Sequence, residues 1–131
     1  MKTLALMLCL AAAPALAETP MTPEAFDRYT EGKTLYFGRS GNYYGVERYE
    51  GNRRVTWSFL DGRCLAGEWY GAEDGQICFI YEDDPAPHCW RFFDSPGGLV
   101  AEFSENSTQV PLYEARERDD PMVCYGPDVG A

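Results

Sequence analysis

Gln76-Ile77-Cys78-Phe79-Ile80-Tyr81 and His88-Cys89-Trp90-Arg91-Phe92-Phe93 are two short aromatic and aliphatic runs separated by Glu82-Asp83-Asp84-Pro85-Ala86-Pro87. Runs of this composition bounded by turn-forming residues read as the two strands of an antiparallel hairpin with an acidic, proline-rich loop between them. Setting Cys78 opposite Cys89 brings Ile77 and Phe79 onto the same face as Trp90 and Phe92. One register therefore satisfies a cross-strand disulfide and an apolar core at once.

The same texture extends in both directions. Further strands are expected at 34–37, 43–49, 54–60, 64–70, 99–103 and, from a weaker pattern, 110–114. Between them stand Ser40-Gly41-Asn42, Gly51-Asn52, Asp61-Gly62, Asp74-Gly75, Pro96-Gly97-Gly98 and Glu105-Asn106-Ser107. These are turn residues at the spacing of consecutive hairpins, so the expected fold is mainly β. It is an antiparallel meander closing into a small barrel or a strongly coiled sheet, since closure removes exposed edges. Parity tests one turn: Val55, Trp57 and Phe59 share a face, as do Leu65, Gly67 and Trp69. A two-residue Asp61-Gly62 loop would set Val55 against Glu68. A three-residue bulged loop ending at a left-handed Gly62 pairs Trp57 with Leu65, and is the expected form. Ahead of the strands, Thr22 to Tyr29 reads as one short helix, with Thr22 as cap, Pro23 in the first helical position and Gly32 placed to end it.

The first 17 residues read as a signal peptide. Lys2 is the basic end, Leu4 to Ala13 the apolar run, and Ala15-Leu16-Ala17 the small-x-small site, so cleavage is expected after Ala17. This leaves one domain, residues 18–131, in the periplasm or outside the cell, with no later segment apolar enough to span a membrane. The leader holds one of the 11 basic residues and none of the 21 acidic ones. A mature chain with this acidic excess has no basic patch for nucleic acid, and the expected partner is a protein or small ligand of the periplasm. Removing Cys9 leaves Cys64, Cys78, Cys89 and Cys124, an even set suited to two disulfides in an oxidising compartment. The hairpin register favours Cys78 with Cys89, which leaves Cys64 with Cys124 among three formal connectivities. By loop entropy these bridges contribute about 3 and about 4 kcal/mol. Zinc is the weaker reading, because no C-x-x-C pair exists and His88 is the sole histidine.

Several features together resemble a family of small secreted alphaproteobacterial proteins of unknown function. They are Pro20-Met21-Thr22-Pro23-Glu24, Gly32-Lys33-Thr34, Val55-Thr56-Trp57 with Asp61-Gly62, Gly67-Glu68-Trp69-Tyr70, and the Cys78 and Cys89 strands. The resemblance covers most of residues 20–93. It implies export and a compact β fold with a hairpin disulfide, and it lends no catalytic residues.

No catalytic motif, metal site or cofactor site emerges from the residues. His88 beside an acidic loop could orient its ring on a carboxylate or help hold a cation, but Ser95 has no nucleophile-elbow context and Glu82-Asp83-Asp84 lacks calcium-loop spacing. Aromatic side chains exceed what one small core encloses, and Tyr43, Tyr44, Tyr70, Tyr81 and His88 are the candidate binding residues at a recognition surface or barrel mouth. The expected role is a non-enzymatic secreted binding or accessory module. The alternatives are a lipocalin-like small-ligand barrel, which requires an apolar cavity among Trp57, Trp69, Phe79 and Trp90, and a cell-envelope hydrolase, which requires His88 and a carboxylate in one cleft.

Overall fold

The hairpin that opened the sequence reading is one side of a closed eight-stranded antiparallel barrel. The computed structural model describes residues 18–116 and 121–125, so the leader and its cleavage site lie outside the described residues. The elements are α1 (Pro23–Thr30), β1 (Thr34–Arg39), β2 (Asn42–Tyr49), β3 (Arg54–Ser58), β4 (Leu65–Gly71), β5 (Gln76–Tyr81), β6 (Asp84–Ser95), β7 (Gly98–Phe103) and β8 (Leu112–Ala115). Each strand pairs with its sequence neighbour, and β8 returns to β1 through Tyr36↔Ala115, Phe37↔Glu114 and Gly38↔Tyr113. At that seam a Cβ on Gly38 would stand 2.6 Å from the Tyr113 ring, so the glycine is what lets the ring lie across β1.

Inward positions form the core: Leu35 and Phe37, Val55 and Trp57, Ile77 and Phe79, Phe92, Leu99 and Leu112. The outer wall carries exposed charge, with Arg54 opposite Glu68 and Arg91 opposite Glu102. Helix α1 closes one end of the barrel. Its start follows from Thr22, whose Oγ1 accepts a hydrogen bond from the Ala25 amide at 3.1 Å. Phe26, fully buried, is the plug, with its ring edge-on to Trp69 at 5.1 Å and to Tyr49 at 5.7 Å, and 4.5 Å from that of Phe92. Two hydrogen bonds fasten the helix: Met21 N to Phe92 O at 2.7 Å, and Tyr29 Oη to Glu114 Oε2 at 2.7 Å. Burial and the Glu114 carboxylate push the Tyr29 phenol up to about 12. Among the described residues no helix is long and apolar enough to cross a membrane.

Both disulfides have the expected partners, Cys78 with Cys89 across β5 and β6, and Cys64 with Cys124. The Trp57↔Leu65 register is also as expected, and Gly62 is left-handed at φ 84°. The three-residue turn is not what forms. The ladder ends at the Trp57↔Leu65 pair, with β3 stopping at Ser58 and β4 starting at Leu65, so the connection is longer. Leu60 takes φ 65°, and the tail is strapped over the loop by the Cys64 bridge and by Tyr125 N donating to Gly62 O at 2.6 Å. The acidic, proline-rich loop is also shorter than its composition suggests: only Glu82 and Asp83 turn, and β6 already begins at Asp84. Pro85 and Pro87 are tolerated there because β6 overhangs β7, whose pairing with it starts only at Trp90.

Candidate functional site: an aromatic cavity with a buried acid

With α1 and Phe26 filling one end, the other end of the barrel stays open as a cavity of about 250 Å³. It is lined by Phe37, Trp57, Phe79, Trp90 and Phe92, together with Ala101 and Leu112. Trp69, grouped with these in the sequence reading, belongs instead to the plugged end: it is buried against Phe26 and covered by the Arg53 guanidinium at 4.5 Å. Phe26 takes the space that Trp69 would otherwise face.

Two local devices shape the cavity. Between Phe37↔Gly45 and Gly38↔Tyr43 the β1–β2 register shifts, leaving Tyr44 as the extra residue of a bulge, and this turns Tyr44 into the cavity lining. A Cβ on Gly45 would overlap the Trp57 indole, so a glycine there lets the ring lie flat against β2. Tyr44, Phe59 and Trp57 then pack at the mouth with ring centroids 5.3 to 5.9 Å apart. Phe59 is 54% exposed, at the rim rather than in the core.

Inside this apolar wall lies Glu47. It pairs across the sheet with Leu35 and Trp57, is 1% exposed, and lines the cavity. Tyr81 Oη donates to Glu47 Oε1 at 2.8 Å, and among the described residues nothing hydrogen-bonds Oε2. Burial pushes the Glu47 carboxyl up to about 8, and the Tyr81 hydrogen bond only partly opposes this. Near pH 7 the group is therefore mostly the neutral acid. Burial, followed by the Glu47 charge, also drives the Tyr81 and Tyr49 phenols well above their usual range, so both remain hydrogen-bond donors.

The rim is acidic. Asp83 and Asp84 line the mouth, and His88 Nε2 stands 3.2 Å from Asp84 Oδ2, with both side chains less than half exposed. Tyr81 and His88 have ring centroids 6.3 Å apart, which connects the rim to the Glu47 pair. The neighbouring Glu82 turns elsewhere, its Oε1 accepting from Ala66 N at 3.1 Å. Among the described residues no group of three His, Cys, Asp or Glu side chains is placed to hold a metal ion. Among the described residues that line the cavity there is no serine, threonine or cysteine.

Of the five candidate binding residues, the fold brings Tyr44, Tyr81 and His88 together at this cavity. It does not bring Tyr43 or Tyr70 there. Tyr43 faces outward, its hydroxyl donating to Arg116 O at 3.0 Å and its ring against Tyr36, and Tyr70 is 40% exposed on β4. Glu47 is the residue that sequence reasoning missed, although a signal existed. Extending the inward parity of Val55 and Trp57 across the β2–β3 hairpin sets Glu47 beside Trp57, on the inner face. Comparison with protein-family models, curated proteins and solved structures found no match.

Proposed function

We propose that this chain is an exported, non-enzymatic binding protein whose barrel takes up one small, largely apolar molecule through its open end. The observation that carries this reading is the cavity of about 250 Å³ walled by aromatic rings inside a closed barrel. Eight-stranded barrels are just wide enough to be filled by side chains or to hold one small ligand, and here Gly45 gives the Trp57 indole room close against β2. A dry apolar cavity of about 150 Å³ accommodates benzene, so this one suits a single ring with a short substituent. Cleavage of the leader would deliver the protein to an oxidising compartment, in keeping with its two disulfides.

Titrating the disulfide-intact protein with ethylbenzene and 2-phenylethanol tests the reading, because Trp57 and Trp90 report on the cavity through their fluorescence. Saturable quenching is expected, reduced at least about tenfold in an Ala101→Leu variant that fills the cavity. A folded wild type that binds neither these compounds nor charged analogues with the same phenyl ring would remove the proposal.

The pair formed by His88 and Asp84 at a cavity mouth favours a second reading, hydrolysis by a His-activated water. Turnover of ester or glycoside substrates that is lost in His88→Ala would support it; a background rate equal to that of the variant would dismiss it.

A further inference from the structure

The carboxyl of Glu47 is an expensive group to place inside an aromatic cavity. A buried carboxyl is ordinarily satisfied on both oxygens or replaced by an apolar residue. Here Glu47 is one of the residues that line the cavity; its Oε1 is held by Tyr81, while its Oε2 is buried and has no hydrogen-bond partner among the described residues. Tyr49, Trp57, Phe79 and Tyr81 line the same cavity, and an aromatic ring offers a weakly negative face to a cation. The mouth adds Asp83 and Asp84, and the chain as a whole is strongly acidic. The acidic groups at the mouth and inside the cavity thus favour positive charge.

We infer that Glu47 is the anchor for a small hydrophobic amine, its Oε2 receiving an N–H of the ammonium while the apolar body fills the aromatic cavity. This rests on the small-ligand reading above and names the ligand class. The ammonium would spend its remaining N–H groups against the ring faces, the arrangement used by aromatic cages for cations. Arg39 is a cation close to the mouth, with its guanidinium 4.6 Å over the Tyr44 ring, but it does not line the cavity. The other charged or titratable groups around Glu47 are Tyr81 on β5, Tyr44 and Tyr49 on its own strand, and Asp83, Asp84 and His88 at the rim. On binding, one proton leaves the neutral Glu47 carboxyl for solvent, and the resulting carboxylate faces the ammonium.

Four matched probes separate the outcomes: ethylbenzene, 2-phenylethanol, 2-phenylethylamine and phenylacetate, titrated calorimetrically into wild type and Glu47→Gln. At pH 8 the amine should bind wild type at least about tenfold more tightly than ethylbenzene does, and Glu47→Gln should remove that advantage while ethylbenzene affinity changes less than about threefold. Because an alkylammonium stays charged from pH 6 to 8, amine affinity should climb towards tenfold per pH unit over that range and then level off. Repeating the titration at pH 7 in two buffers of different ionisation enthalpy should show close to one proton released per amine bound, which tests the idea on wild type even if the variant does not fold. Ethylbenzene binding without any amine preference would sink this inference and leave the small-ligand reading intact. Phenylacetate binding most tightly would overturn it in favour of Arg39, a preference for 2-phenylethanol would make Glu47 a neutral donor instead, and no binding of any probe would sink both readings.

Discussion

Glu47 shows how one side chain can couple stability to pH. Its folded-state carboxyl titrates near 8, above the ordinary glutamate range that applies in the unfolded chain. The folded protein therefore holds a proton that the unfolded chain releases, and stability falls as pH rises from the unfolded value through 8. Between pH 5 and pH 8 this single group should cost roughly 3 kcal/mol. Glu47→Gln keeps an oxygen for the Tyr81 hydroxyl and cannot ionise. Its denaturant midpoint should change far less between those two pH values than that of wild type. Equal slopes in the two proteins would mean that Glu47 is ionised at low pH despite its burial. Nothing about residue 47 in isolation foretells this, since a glutamate in a strand is ordinarily on the wet face. Its neighbours Tyr49, Val55 and Trp57 decide that it faces inward.

Among the elements, α1 does more than its eight residues suggest. Its limits were legible because Thr22, Pro23 and Gly32 act locally, through a cap, a preset φ and a left-handed stop. Its destination was not, because an amphipathic turn of helix can dock on any apolar surface. Phe26 is the element's main anchor, meeting Tyr49, Trp69, Phe79 and Phe92. Phe26→Ala should cost about 3 to 5 kcal/mol and loosen the whole helix. Amide exchange would then rise across Pro23–Thr30 well before it rises in β5 and β6. Uniform loss of protection instead would show that plug and barrel are one cooperative unit. The β5–β6 hairpin behaves in the opposite way: its register, bridge and inward aromatics all follow from local alternation, and all are found as the residues imply.

For the molecule as a whole, closure and the tail matter most. The β1–β8 seam rests on a short strand, and the Cys64–Cys124 bridge spans 60 residues, fastening the described end of the tail to the β3–β4 connection. Loop entropy makes it the larger contributor of the two disulfides, at about 4 kcal/mol against about 3. A Cys64→Ala/Cys124→Ala variant should therefore lose more thermal stability than Cys78→Ala/Cys89→Ala, by a few degrees in melting temperature. The reverse order would place the greater constraint on the hairpin. In both variants the cavity should persist, since neither bridge lines it.

The chain's own pattern was enough for the β class, the strand order, the hairpin register, the disulfide partners and the helix limits. The register, the hairpin bridge and the helix limits depend on contacts between near neighbours in sequence, where alternation and turn chemistry act directly, while Cys64 with Cys124 follows only by elimination once Cys78 is paired with Cys89. The length of the β3–β4 connection, the early start of β6, the exclusion of Trp69 from the cavity and the burial of Glu47 in an open aromatic pocket were decided only when the barrel closed. They depend on which distant residue reaches a given space first: Phe26 takes one end, the Cys124 segment straps one loop, and the bulge at Tyr44 with the glycine at 45 sets how Tyr44 and Trp57 line the other end.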